Sequence, residues 1–162
     1  MKVCNESQYP LSKLRPFIDF CLRRCPTASI AMLRLRDSAP GISSSGLAWR
    51  ENPLRSSTAP SLVEVWLGSK YSYPRYDQHV PELRRIVLFS WEEEVLLVIA
   101  HEFRHIHQMH IPVKAVVDDH TAEVDAERFA IETLQEWRSI RRLKSSVCRR
   151  PDRYEVDKNC AM

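Results

Sequence analysis

Hydrophobic and polar positions follow two different periods along this chain. Apolar residues recur at helical spacing over Leu11–Arg24, and Pro26 limits that segment. Apolar and polar residues then alternate clearly over Leu62–Leu67 and loosely over Ser29–Leu35, while Arg85–Ser90 is β-branched and aromatic. The pattern predicts one short helix followed by three or four strands.

The C-terminal half changes to helical periodicity. Pro112 limits a first helix to about Trp91–His110, which opens with acidic residues that suit the positive end of the helix dipole. A second helix is expected to begin near Asp118–Thr121 and to run to about Leu143. The order of elements predicts an α+β fold, with one domain over residues 1–143 and a basic, flexible tail over residues 144–162.

Three segments between these elements are rich in turn-forming residues. They are Asp37–Ser45, Asn52–Pro60 and Gly68–Pro81, and each is long for a compact domain. We therefore regard them as candidate functional loops, although Gly68–Pro81 also suits a simple crossing between strands.

Composition excludes several classes of protein. The chain of 162 residues suffices for one core, and its 3 glycines allow neither a G-x-G-x-x-G nor a P-loop motif. Its 5 cysteines form no C-x-x-C pair and no secretory signal is evident, so we expect free thiols and a cytoplasmic location. The longest apolar run, Val95–Ala100, is too short to span a membrane.

The net charge of +3 is unevenly distributed. Residues 138–153 carry seven basic side chains and one acid, so the rest of the chain is slightly acidic. A basic tail of this kind can contact nucleic acid weakly, or it can be a solvated helix end.

Five of the 6 histidines fall between His101 and His120, and two of them belong to a recognisable motif. His101-Glu102-Phe103-Arg104-His105 is an H-E-x-x-H sequence on the first C-terminal helix. Helical residues four apart lie about 40° apart around the axis, so His101 and His105 can bind one metal ion. Glu102 is placed to reach a water on that metal. His107 and His110 point away by the same geometry.

A zinc site of this type needs a third protein ligand, which the following helix can supply. Glu123 lies at the centre of its predicted core-facing arc, and Glu127 follows one turn later. Two buried carboxylates need a cation or hydrogen-bond donors, and a metal with its imidazoles provides both. If the helix begins later than expected, Glu123 is instead a residue that favours the helix dipole.

His101-Glu102-x-x-His105, followed eighteen residues later by Glu123-x-Asp125-Ala126-Glu127, resembles the gluzincin metallopeptidases. The chain is most similar to their small ImmA/IrrE-like (minigluzincin) form over about a third of its length, residues 86–137. The resemblance implies a zincin-like fold and a Zn²⁺ ion bound by His101, His105 and Glu123. It also places Glu127 behind His101, although family members usually have Asp or Asn there.

These features predict a zinc-dependent endopeptidase that acts on a protein or peptide substrate. Glu102 is the expected general base, and an extended substrate is expected to pair with an exposed edge strand, Leu62–Leu67 or Arg85–Ser90. A donor to the transition state is also needed. The candidates are His120, Tyr71, Tyr73 and Tyr76.

Two other interpretations are compatible with the same residues. In the first, zinc is structural and the chain is a regulatory or binding protein, although a structural site does not need Glu102. In the second, the basic tail makes the chain a protein associated with nucleic acid.

Overall fold

The computed structural model describes residues 1–25, 30–50, 61–69, 73–77, 80–81, 83, 85–109 and 119–147. The α+β class predicted from the sequence is confirmed. In chain order, the elements are β1 Lys2–Asn5, α1 Leu11–Arg24, β2 Ile30–Asp37, β3 Ser45–Arg50, β4 Ser61–Leu67, β5 Arg75–Asp77, β6 Ile86–Leu88, α2 Trp91–Met109 and α3 Asp119–Val147.

The main sheet has four strands in the order β1-β2-β4-β3. Strands β1, β2 and β4 are parallel, whereas β3 runs antiparallel to β4. The predicted strand Leu62–Leu67 is therefore interior, flanked by β2 and β3, and the expectation that it offers a free edge to a substrate is wrong. The predicted strand Arg85–Ser90 is reduced to β6, which pairs with β5 in a separate two-stranded sheet.

Helix α2 occupies the centre of the core and packs on β3, β4, α1 and α3. Its side chains Leu96, Ile99, Phe103 and Ile106 are fully buried, which explains why the helix is apolar on nearly all sides before the H-E-x-x-H motif. Burial of each such side chain stabilises the fold by about 1.5–3 kcal/mol. The motif is thus carried by a helix with little freedom to move.

Several boundaries differ from those predicted. Helix α3 continues to Val147, four residues beyond the expected end at Leu143, whereas α2 is described to Met109 and its expected last residue, His110, lies outside the described residues. Strands β1, β3 and β5 were not predicted; β5 lies inside the turn-rich segment Gly68–Pro81. The candidate loop Asn52–Pro60 and residues 148–162 lie outside the described part of the chain.

Within the described ranges, no helix is both long enough and apolar enough to cross a membrane.

Candidate metal centre

The H-E-x-x-H motif faces a cavity of about 270 Å³ between α2, α3 and the start of β3. Its apolar lining comes from α2, one turn before the motif. Another wall is formed by residues 43–46, which lead into β3. The lining residues are Ser43, Ser44, Ser45, Gly46, Leu97, Val98, His101, Glu102, Glu123 and Glu127. Two helices and a strand therefore converge on one pocket.

Three potential ligand atoms lie close together beside this cavity. The Nε2 atoms of His101 and His105 are 3.0 Å apart, and each lies 3.3 Å from a carboxylate oxygen of Glu123. Zinc bonds of about 2.0–2.1 Å in a tetrahedron place neighbouring ligand atoms about 3.3 Å apart. The structure thus brings together the three residues expected to bind zinc, at separations that suit this ion.

The remaining nitrogen of each imidazole faces a polar side chain. His101 Nδ1 lies 3.3 Å from Oε2 of Glu127, which is 2% exposed, although the two atoms do not meet at a hydrogen-bonding angle. His105 Nδ1 lies 2.9 Å from Oε1 of Gln108. Such partners on the far side of the imidazoles are typical of metal-binding histidines.

Gln108, which was not predicted to belong to the site, fixes the protonation of His105. Its amide nitrogen donates to Ala122 O at 2.9 Å and to Asp125 Oδ2 at 2.8 Å, so its oxygen must face the imidazole. His105 Nδ1 therefore donates to Gln108, which leaves the lone pair of Nε2 directed at the cavity. The i, i+3 spacing of His105 and Gln108 is the sequence signal that could have indicated this pair.

An ion pair fixes the helix that carries Glu123 against the helix that carries the histidines. Arg104 donates to both carboxylate oxygens of Asp125, at 2.7 and 3.2 Å. The hydrogen bond from Arg104 holds the pKa of Asp125 below its usual value. Asp125 thus contacts the C-terminal end of α2, where the two helices meet.

Glu102 is buried between the ligands and strand β3. Burial raises its pKa to about 7, and the charge of Glu123 acts in the same direction. The N–H of Ala48 donates to the Glu102 carboxylate, and a Cβ atom placed on Gly46 would lie 2.3 Å from Glu102 Cγ. Gly46 thus allows β3 to approach Glu102 more closely than any other residue would.

Among the residues that the structure describes, the acidic side chains of the site have no basic partner other than histidine. In the described ranges, no Lys or Arg lies within ion-pair distance of Glu102, Glu123 or Glu127. Burial acts to lower the pKa of His101. The nearby carboxylates of Glu127, Glu102 and Glu123 act more strongly in the opposite direction, so the pKa of His101 is raised. Burial and the neighbouring His101 lower the pKa of His105. A divalent cation suits this arrangement, because it would bring two positive charges to a site with three carboxylates and two imidazoles.

Glu123 is more accessible than the sequence analysis expected. Its side chain is 53% exposed, because it lies near the start of α3 at the mouth of the cavity. The prediction of two buried carboxylates is therefore right for Glu127 and wrong for Glu123. The rest of the predicted core-facing arc, including Ala126, Ala130 and Leu134, is buried.

The candidate transition-state donors do not line the cavity in the described part of the chain. His120 is exposed in the first turn of α3, and Tyr76 is 74% exposed. The Tyr73 hydroxyl donates to Glu94 at 2.5 Å. Tyr71 and His110 lie outside the described residues.

Comparison with known proteins yields no match to a family model, to a curated protein or to a solved structure.

Proposed function

We propose that this protein is a zinc-dependent endopeptidase of the gluzincin type with a zincin-like fold. The observation that carries the proposal is the convergence of His101 Nε2, His105 Nε2 and the Glu123 carboxylate, with Glu102 lining the same cavity. His101, His105 and Glu123 would hold the zinc ion.

The side chains around this centre have separate tasks in the proposed reaction. When bound, zinc supplies a Lewis acid that polarises the peptide carbonyl and makes water a stronger nucleophile. Glu102 accepts a proton from the attacking water and then donates it to the leaving amine. A base that titrates near neutral pH suits both transfers, and burial gives Glu102 a pKa of about 7 in the metal-free protein. Glu127 and Gln108 orient the imidazoles.

The substrate proposed for this centre is an extended peptide that lies along β3. This strand is at one edge of the sheet, and the Ala48 N–H already points away from β4 towards Glu102. An edge strand can pair with a peptide backbone, which provides affinity without requiring a particular sequence. The proposed pairing strand is thus β3, in place of the two strands suggested by the sequence.

The Glu102→Gln variant tests the proposal. We expect hydrolysis of a quenched fluorescent peptide library to fall by about 10²- to 10⁴-fold, because the general base is lost. Zinc content, measured by atomic emission, should stay at the wild-type value because Glu102 is not a ligand. Glu92→Gln, on the same helix but outside the cavity, is the matched control.

Two outcomes would overturn the assignment. Full activity of Glu102→Gln would exclude the mechanism. A wild-type protein that binds zinc and hydrolyses no peptide would instead indicate a metal-stabilised binding protein.

A further inference from the structure

A second buried glutamate, Glu94, lies on the same face of α2 as the motif. It precedes His101 by seven residues, which is two helical turns, and its side chain is 1% exposed. A buried carboxylate is unfavourable unless it is paired and hydrogen-bonded. The partners of Glu94 therefore indicate what it is for.

Those partners come from two other segments of the chain. The Ser44 N–H donates to Glu94 Oε1 at 2.6 Å. The Tyr73 hydroxyl and Arg75 Nη2 contact Oε2, at 2.5 and 3.0 Å. Glu94 thus connects α2 to the chain that enters β3 and to the start of β5.

The segment held by Glu94 is one wall of the metal-centre cavity. Residues 43–46 line it, and the Ser44 hydroxyl accepts a hydrogen bond from the Gly68 N–H at 2.9 Å. The wall has little tolerance for displacement, because Gly46 is already in close contact with Glu102. The distance between this wall and the ligands depends on where Glu94 holds Ser44.

We propose that Glu94 is a positioning residue that sets the place of the 43–46 wall and of β3 for the peptide substrate. The proposal rests on the peptidase function proposed above. Glu94 acts through Ser44 and does not touch the reacting atoms. Its loss should therefore weaken substrate binding more than it slows the chemical step.

Glu93 offers a matched control at the adjacent position. It is also buried, accepts the Phe89 N–H at 2.7 Å and pairs with Arg138 at 2.6 Å. Its partners lie near β6 and on α3, away from the cavity. Substitution of Glu93 thus removes a comparable set of contacts without disturbing the wall.

The experiment compares Glu94→Gln with Glu93→Gln. Gln keeps one acceptor oxygen where the carboxylate has two, so Ser44, Tyr73 and Arg75 cannot all be satisfied. Using a quenched peptide selected from a random library with the wild-type protein, we expect KM to rise about tenfold in Glu94→Gln. The kcat value should change less than about threefold, and Glu93→Gln should keep the wild-type KM.

A second measurement does not depend on activity. Amide hydrogen exchange at Ser44 should be about tenfold faster in Glu94→Gln than in Glu93→Gln, because its acceptor is weakened. If Glu94→Gln does not fold, Tyr73→Phe takes its place, with a KM expected to rise about threefold because one neutral hydrogen bond is lost.

Equal KM values and equal Ser44 exchange in the two variants would overturn the positioning role while leaving the peptidase function intact. A wild-type protein without peptidase activity would instead overturn the proposed function on which the positioning role rests.

Discussion

The two ends of α2 both bury glutamates, but they neutralise them in different ways. At the N-terminal end, Glu93 pairs with Arg138 and Glu94 with Arg75. Near the C-terminal end, Glu102 and the neighbouring Glu127 of α3 are as deeply buried. Among the described residues no Lys or Arg pairs with Glu127, which faces the imidazole of His101. Buried glutamates therefore occupy two contrasting electrostatic environments at the two ends of α2.

The titration behaviour of the two ends follows from this difference. Although burial alone raises the pKa of Glu93, hydrogen bonds from Arg138 and from the Phe89 N–H outweigh it, and the pKa is lowered. At Glu102 burial dominates and the pKa rises to about 7. A carboxylate with an arginine partner stabilises the fold, whereas a buried carboxylate without one is available to exchange protons or to face a metal ion.

We expect the largest effect from Gly46→Ala, which changes the surroundings of Glu102 near the C-terminal end of α2. The new Cβ would meet Glu102 at its Cγ, so that either the side chain or β3 must move. A displacement of about 1 Å at a reacting group can cost about a hundredfold in rate, and we expect a loss of that size in peptide hydrolysis. Zinc affinity should be unchanged, since Glu102 is not a ligand.

Leu47→Ala is the control for that substitution, because Leu47 is 53% exposed on the same strand. Wild-type activity in Gly46→Ala would show that the close approach of β3 to Glu102 is unimportant.

The Gln108→Ala variant tests how the imidazoles are held at this end. Without Gln108, His105 loses the acceptor that fixes its tautomer and α2 loses two hydrogen bonds to α3. Removal of such a partner costs about 10- to 100-fold in metal affinity, which competition with a fluorescent zinc chelator would measure. His107→Ala, one residue away, should bind zinc like the wild type. Equal affinities in the two variants would exclude a role for Gln108.

The ion pair of Glu93 at the N-terminal end of α2 predicts that the free energy of unfolding depends on pH. Because the pKa of Glu93 is lowered in the folded state, its contribution is present above the unfolded value of about 4.3 and is lost as the pH falls. The free energy of unfolding of Glu93→Gln should therefore be about 2 kcal/mol lower than that of the wild type at pH 7, and the difference should shrink at a pH below about 4.3. Urea unfolding with a chelator present at both pH values measures this. A difference independent of pH would contradict the ion pair.

Local patterns in the sequence predicted the helices better than the strands. The bounds of α1 and the start of α2 are as expected, because each helix has a clear apolar face or run and a limiting proline. Strands β1, β3 and β5 are short or contain glycine, and their pairing depends on distant residues. Such strands are stabilised by their neighbours in the sheet, which a local pattern does not contain.

The same distinction between local and distant information applies to the candidate metal centre. The motif His101-Glu102-x-x-His105 is local, and helix geometry was enough to group its histidines. Gly46 comes from a strand that was not predicted, whereas Ser44 lies in the candidate loop Asp37–Ser45, whose part in the site the local pattern did not specify. The exposure of Glu123 depends on where α3 begins relative to α2, which the sequence does not specify.

The zinc content of the purified protein tests most directly whether His101, His105 and Glu123 form one metal centre. We expect about one zinc ion per chain in the purified wild-type protein and less than about a tenth of that in Glu123→Ala after dialysis. The exposed Glu132 on the same helix gives the control, and Glu132→Ala should keep its zinc. A wild-type protein without zinc, or a Glu123→Ala variant that retains it fully, would contradict the account.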